Sequence, residues 1–281
     1  MCTIFRIGIT KCPNRTDKLV YNKEGKVTSL NKMLNVLNMF GPNSMILNVD
    51  DIAGQLSLSR ATAYRYIREL CEAGLLTRFD KNYTLGPKII ELDWIMRQYN
   101  PVIAYGHEIM AQLSKSTGLS VYMSMFCDGH IINTHIESDN KEYTLAFGRG
   151  RTLPIFKGAQ SKVLVAHQKA FRLKKIYEEY IAQNEEYDLT WDQFNTETKK
   201  IRRNGFCVTH NELNNLSLTG VAAPIFNQEN NDIVGSVAFL GTASEFEPTS
   251  LVVLVERLKQ ATTAIKDCIP QQKSPTLIAG L

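Results

Sequence analysis

From Asn48 to Gly74 the chain reads NVDDIAGQLSLSRATAYRYIRELCEAG, and few stretches leave a backbone fewer choices. Asn48 or Asp50 can cap a short helix whose first turn carries acids, where they suit the helix dipole. "SLS" then breaks the pattern, and Ser59 caps a helix running from Arg60 to about Ala73. Gly74 ends it, at the position where a left-handed backbone is wanted. Ala63, Ile67 and Leu70 share one face of that helix and demand a core, while Arg60, Ala61, Tyr64, Arg65 and Arg68 turn outward. The chain must therefore make two short helices around a tight turn, apolar on one side and cationic and aromatic on the other.

The flanks complete a small domain. "SLNKMLNVLNMF" puts Leu30, Met33, Leu34 and Leu37 on one helical face, with Ser29 as N-cap and Gly41-Pro42 as the stop. "LLTRF" and "YTLG", joined by "DKN", read as a hairpin. Three helices followed by a hairpin is the order of a winged helix-turn-helix. There the second helix of the motif enters the major groove by its N-terminal end, so Ser59, Arg60, Ala61, Thr62, Tyr64 and Arg65 stand nearest the bases. Arg68 lies further along and suits phosphate, as do Arg78 and Lys81 at the wing. An Arg65 fork on guanine is worth about 1–3 kcal/mol of discrimination. Charge agrees: residues 1–88 hold 13 Lys/Arg against 7 Asp/Glu, and 89–281 hold 19 against 21. A polyanion, double-stranded DNA above all, is expected to meet the N-terminal third. The competing reading, a solvated basic helix face, leaves the surrounding helix, turn and hairpin unexplained.

Beyond Gly86-Pro87, "KIIELDWIMRQ" reads as a connecting helix with Ile89, Ile90, Leu92 and Ile95 apolar. "PVIAYGHEIMAQLSKSTG" is a helix with proline at its first position and Gly118 at its C-cap. "LSVYMSMF" and "HIINTHIES" flank the turn Cys127-Asp128-Gly129, and "YTLAF" reads as a third strand. Helices follow at about 158–168 and 171–182, then "WDQFNTETKKIRRNG" between Thr190 and Gly205. "TGVAAPIF", "DIVGSVAFL" and the amphipathic "TSLVVLVERLKQATTAIKDCI" close the pattern. Locally paired strands among helices predict an α+β fold with an antiparallel sheet. The expected divisions are an arm at 1–28, a DNA-binding domain at 29–86, a linker helix at 87–100, a second domain at 101–269 and a tail at 270–281.

Several function classes drop out. Six scattered cysteines without a CxxC pair argue against a disulfide framework or zinc finger and for a reducing cytoplasm. The N-terminus lacks the features of a signal peptide, and no run of about 18 apolar residues predicts a membrane span. The five histidines show no HxH or HExxH spacing and read as structural; His130, His135 and Cys207 are the one metal-ligating set to weigh against that. "GRGRTLP" lacks the phosphate-cradling spacings. Neither a nucleophile elbow nor a catalytic acid pair is evident, so no cofactor, metal or enzymatic activity is expected. The alternative is an enzyme or sensor on the second domain, with the helix-turn-helix serving only as an interaction module.

Taken in order and spacing, "SLNKMLNVLNMF", "NVDDIAGQLSLSRATAYRYIRELCEAGLLTR", "YTLGPKIIELD", "RTLPIFKGAQSKVLVAH", "RRNGFCVTHNE" and "GVAAPIF" resemble the IclR family of bacterial transcriptional regulators over roughly 29–268. The resemblance implies a winged helix-turn-helix joined by a linker helix to a GAF-like domain that binds a small organic acid effector. It also implies a homodimer or homotetramer on a palindromic operator, repressing or activating catabolic genes. The effector pocket it implies is lined by Gly158, Ala159, Gln160 and Ser161 at a helix start, with Glu212 and Gly220. A helix N-terminus offers free N–H groups to a carboxylate. Ser161 stands where the family often has glycine. Thr144, Phe147, Ser236 and Phe239 are candidate walls, read as strand residues.

Overall fold

A computed structural model describes residues 28–41, 43–127, 129–213 and 217–269. The arm (apart from Thr28), the tail at 270–281, Pro42 and Asp128 lie outside them. The chain divides between Arg97 and Gln98 into two compact units.

The first unit contains α1 (Ser29–Asn38), α2 (Val49–Gln55), α3 (Arg60–Glu72), β1 (Leu76–Phe79) and β2 (Asn82–Leu85), and α4 (Lys88–Tyr99) runs across the division. α1 begins one residue earlier than the pattern suggests. Thr28, not Ser29, is the N-cap, its hydroxyl accepting the Asn31 N–H at 3.1 Å. The buried face also differs: Leu30 and Leu34 are exposed, and the side facing the core carries Val36 with partly buried Met33, Leu37 and Phe40. That spacing is still i, i+3, i+4, i+7, rotated from the expected row. Asn48 caps α2 in a reciprocal capping box with Asp51, and Ser59 caps α3 by accepting the Thr62 N–H. Val36, Ile52, Ala63, Ile67, Leu70 and Leu76 form the core. Burying an aliphatic side chain of this size contributes about 1.5–3 kcal/mol, enough for a few of them to hold three short helices together. Leu47 pairs with Tyr83 of β2 through two backbone hydrogen bonds, an isolated antiparallel bridge that ties the segment before α2 to the hairpin.

The second unit is built on one antiparallel sheet of β3 (Ser120–Cys127), β4 (His130–Glu137), β5 (Thr152–Leu153), β6 (Cys207–His210), β7 (Leu218–Phe226) and β8 (Ile233–Thr242), ordered β5-β4-β3-β8-β7-β6. One face packs on α5 (Pro101–Thr117) and α11 (Leu251–Cys268): Val121, Met123, Val237 and Phe239 meet Met110, Leu258 and Ile265. On the other face Tyr122, Ile131 and Leu240 join a core with Phe156, Leu164 and Phe194. That side carries α6 (Lys141–Phe147), α7 (Ala159–Ala166), α8 (Ala170–Ile176) and α9 (Trp191–Asn204), while the short α10 (Ala243–Phe246) follows β8. α8 continues into a π-helical turn, Tyr177–Ile181.

The expected strand "YTLAF" is helix α6. Asn140 accepts the Tyr143 N–H through its side chain and the Thr144 N–H through its carbonyl, opening a helical turn. Tyr143 and Phe147, four residues apart, are buried in the same core. The strand that pairs with β4 comes later, as Thr152–Leu153, and the four residues of β6 are a further strand at the opposite edge.

Candidate nucleic-acid interface and ligand site

On α3 the burial follows the sequence pattern: Ala63, Tyr66, Ile67 and Leu70 are buried, and Arg60, Ala61, Tyr64, Arg65 and Arg68 are exposed. Ser59 and Thr62 are tied to each other at the helix start, with hydroxyl oxygens 2.8 Å apart. The outward face and the wing border one cleft, lined by Ala61, Tyr64, Arg65, Arg68, Arg78 and Tyr83 among others. Its cations are not equivalent. Arg60 pairs with Asp50 at 3.3 Å, and Arg68 lies between Glu69 and Glu72 at 3.2 and 3.7 Å. Arg78 donates to the Asp80 carbonyl at 2.8 Å, stiffening the wing turn. Arg65 lies over the Tyr66 ring, 5.6 Å from its centroid, and has no carboxylate partner among the described residues. Lys81, at the wing tip, is exposed.

In the second unit the implied ligand residues come together around the start of α7. Gly158, its N-cap, has φ +81° and ψ 152°, a conformation that side chains rarely adopt. A Cβ there would also stand 3.1–3.2 Å from Leu213. Gly220 on β7 faces Ala159 and Thr209; a Cβ built on it would reach 3.4 Å from the Ala159 Cβ. Ala159, Gln160 and Ser161 are all buried. Glu212 reaches this helix start from the loop after β6: its carboxylate accepts the Gly158 N–H at 3.0 Å and the Lys162 ammonium at 2.7 Å. Lys162 also pairs with Glu197 at 2.9 Å. Burial alone would push the Lys162 ammonium down, but the hydrogen bonds it donates to Glu197 and Glu212 outweigh that and hold the group above its ordinary value. Sequence reasoning missed Lys162 and Glu197, because only the packing of α7 against α9 and the loop after β6 brings residues 162, 197 and 212 together.

Gln160 points deeper. Its amide donates to Ser124 at 3.3 Å, Ser124 donates to Asn133 at 2.7 Å, and Asn133 donates to the Phe147 carbonyl at 2.6 Å. Ser161, Ser236 and Tyr122 each carry a buried hydroxyl with no hydrogen-bond partner among the described residues. Ser236 pairs directly with Ser124 across β8 and β3, so it shares the α7 face of the sheet. Of the candidate walls, Phe147 lies on α6 with its ring against Tyr122, and Thr144 is exposed on the same helix. Phe239 is excluded, since it belongs to the core beneath α5 and α11 on the opposite face.

The weighed metal set of His130, His135 and Cys207 is not assembled. Cys207 lies on β6, four strand spacings from β4, or roughly 19 Å. Burial also pushes its thiol up to about 12, away from the thiolate that binds metal. Among the described residues, no helix is long and apolar enough to cross a membrane.

The family model described as "IclR helix-turn-helix domain" matches residues 29–79, and "Bacterial transcriptional regulator IclR C-terminal" matches residues 98–267. The chain is 23% identical over 245 residues to the HTH-type transcriptional regulator XynR of Escherichia coli K12, covering 85% of this chain and 96% of that one. Among solved structures, an IclR transcriptional regulator from Silicibacter sp. TM1040 superimposes with a TM-score of 0.72 at 18% identity, over 85% of this chain and 95% of the other. An IclR homologue from Microbacterium hydrocarbonoxydans, in complex with 4-hydroxybenzoate, gives 0.68 at 17% identity, over 86% and 98%.

Proposed function

The chain belongs to the IclR family of bacterial transcriptional regulators, and on that premise we propose that it represses or activates catabolic genes from a palindromic operator, under control of a small organic acid bound at the start of α7. The observation that carries the DNA part is the outward face of α3. Among the described residues no carboxylate pairs with the Arg65 guanidinium, on the face it shares with Tyr64 and Ala61, while Arg60 and Arg68 are held by neighbouring acids. In this reading Arg65 reads a base edge, and Arg68, Arg78 and Lys81 meet phosphates.

The acid reading rests on the helix N-terminus and on the 4-hydroxybenzoate bound by the Microbacterium relative. Glu212 gives it a mechanism, because the protein's own carboxylate already takes the Gly158 N–H. With Glu197 it leaves two negative charges around the single Lys162 ammonium. An incoming carboxylate therefore has to exchange with Glu212, and the two occupancies define two arrangements of the loop after β6. An effector changes DNA affinity only as far as it prefers one arrangement of the whole protein over another. The stripe Leu92, Ile95, Met96 and Tyr99 on α4, exposed at i, i+3, i+4, i+7, supports self-association on a two-fold operator.

Binding of the full-length protein to the duplex upstream of its own gene, against a scrambled duplex, tests both parts when repeated with a panel of aliphatic and aromatic acids. The expected result is preference for the upstream duplex, altered by one acid. A protein that binds both duplexes equally at every salt concentration is not reading sequence, and the regulator reading then fails.

A further inference from the structure

A cluster of metal-ligating side chains stands apart from both sites, on the α5 side of the sheet. The register of β4 builds it. His135 pairs with Met123 and Glu137 with Val121, and those two partners lie in the core beneath α5 and α11. His135 and Glu137 are two residues apart on one strand, so both project to that same face. α5 supplies His107. The His135 Nε2 is 2.6 Å and the His107 Nε2 3.8 Å from the Glu137 Oε1, and the two imidazoles meet edge-on with centroids 5.2 Å apart. The three donor atoms lie within 4.8 Å of one another. The His135 side chain is 16% exposed and that of Glu137 27%, against 58% for His107, so the cluster is closed toward the sheet and open on one side.

We propose that His107, His135 and Glu137 bind a divalent transition metal ion of the zinc class, with a coordination position left open to solvent. Two imidazoles and one carboxylate are a donor set for borderline cations, held at about 2.0–2.2 Å. The set is wrong for calcium or magnesium, which take oxygen ligands. Donor atoms around a tetrahedral ion with such bonds stand roughly 3.3–3.4 Å apart. The 3.8 Å separation and the one between the two imidazoles, which lies within 4.8 Å, must close and the 2.6 Å separation must open, changes that a rotation of the Glu137 carboxylate and of the exposed His107 supplies. A hydrogen bond between His135 and Glu137 needs no third donor, and it is the convergence of His107 from another element that a purely structural pair leaves unexplained. Arg149 donates to the Thr134 carbonyl beside the cluster, and this nearby cation tempers the affinity. Bound there, the ion would tie the first helix of the second unit to its sheet.

The test uses the tag-free, full-length chain after dialysis against chelator, titrated with Zn(II) by calorimetry and with Co(II) by visible absorption. One ion per chain is expected, with the intense cobalt bands of a four- or five-coordinate nitrogen–oxygen site. H107A, H135A and E137Q should each weaken zinc binding by at least about tenfold, the loss that even an outer-shell partner can cause. H107A changes a mostly exposed side chain, and E137Q keeps a hydrogen-bond acceptor for His135, so these two separate metal binding from folding. No cobalt spectrum in the wild-type protein overturns the proposal. Zinc affinity unchanged in folded H107A and E137Q overturns it as well.

Discussion

At the scale of single residues, the chemistry turns on which charges are already spoken for. Arg65 is the cation on α3 with no carboxylate partner among the described residues, so Arg65→Ala should reduce preference for the operator over random duplex by about 1–3 kcal/mol. Competition binding measures this, and an equal loss on both duplexes would make Arg65 a phosphate contact. Glu212 is the mirror case, an anion seated at the proposed acid site. Glu212→Gln removes one negative charge beside the α7 start and should tighten binding of the active acid while weakening that of its neutral amide, as calorimetry on both would report. Gly158 is fixed by its backbone: φ +81° with ψ 152° is a glycine region. Gly158→Ala should cost about 1–3 kcal/mol in denaturant unfolding before any ligand is added.

At the scale of elements, much of the fold was legible because helix ends are local chemistry. Asn48, Ser59 and Thr190 cap the helices that their sequences announce, and Gly118 and Gly205 close theirs with φ of +71° and +72°. What was not legible depends on partners distant in sequence. "YTLAF" carries strand-forming residues, yet Tyr143 and Phe147 find a common core only as a helix. The bridge between Leu47 and Tyr83, and the meeting of Lys162 with Glu197 and Glu212, likewise leave no mark at short range. The C-cap of α7 gives an element-scale prediction. Burial holds His167 below its ordinary 6.5, offset in part by its hydrogen bond to the Val163 carbonyl, with the nearby Arg202 adding to the depression. The unfolded chain therefore takes up its proton first as pH falls. Stability should be full above about pH 6.5 and decline through the folded-state value. His167→Gln should flatten that decline in unfolding midpoints measured from about pH 7 to pH 5.

At the scale of the whole molecule, the two ends of the chain differ in kind: a basic helical unit with a small core and a larger sheet-centred unit. If the cations of α3 and the wing neutralise phosphates, duplex affinity should fall steeply and linearly on a logarithmic salt scale, with the slope reduced by about one for Lys81→Ala. The sheet has a different consequence, felt while the protein is being made. Its central seam joins β3 to β8, pairing Ser124 with Ser236, so one inner strand leaves the ribosome roughly 110 residues before its neighbour. At about 5–20 residues per second, the edge of β3 waits on the order of 5–20 seconds without that partner. During that interval the nascent chain exposes an apolar strand edge to any other strand it meets. Translation that stalls short of β8 should therefore leave the chain dependent on chaperones, and a polypeptide ending before Ile233 should aggregate where the complete one does not.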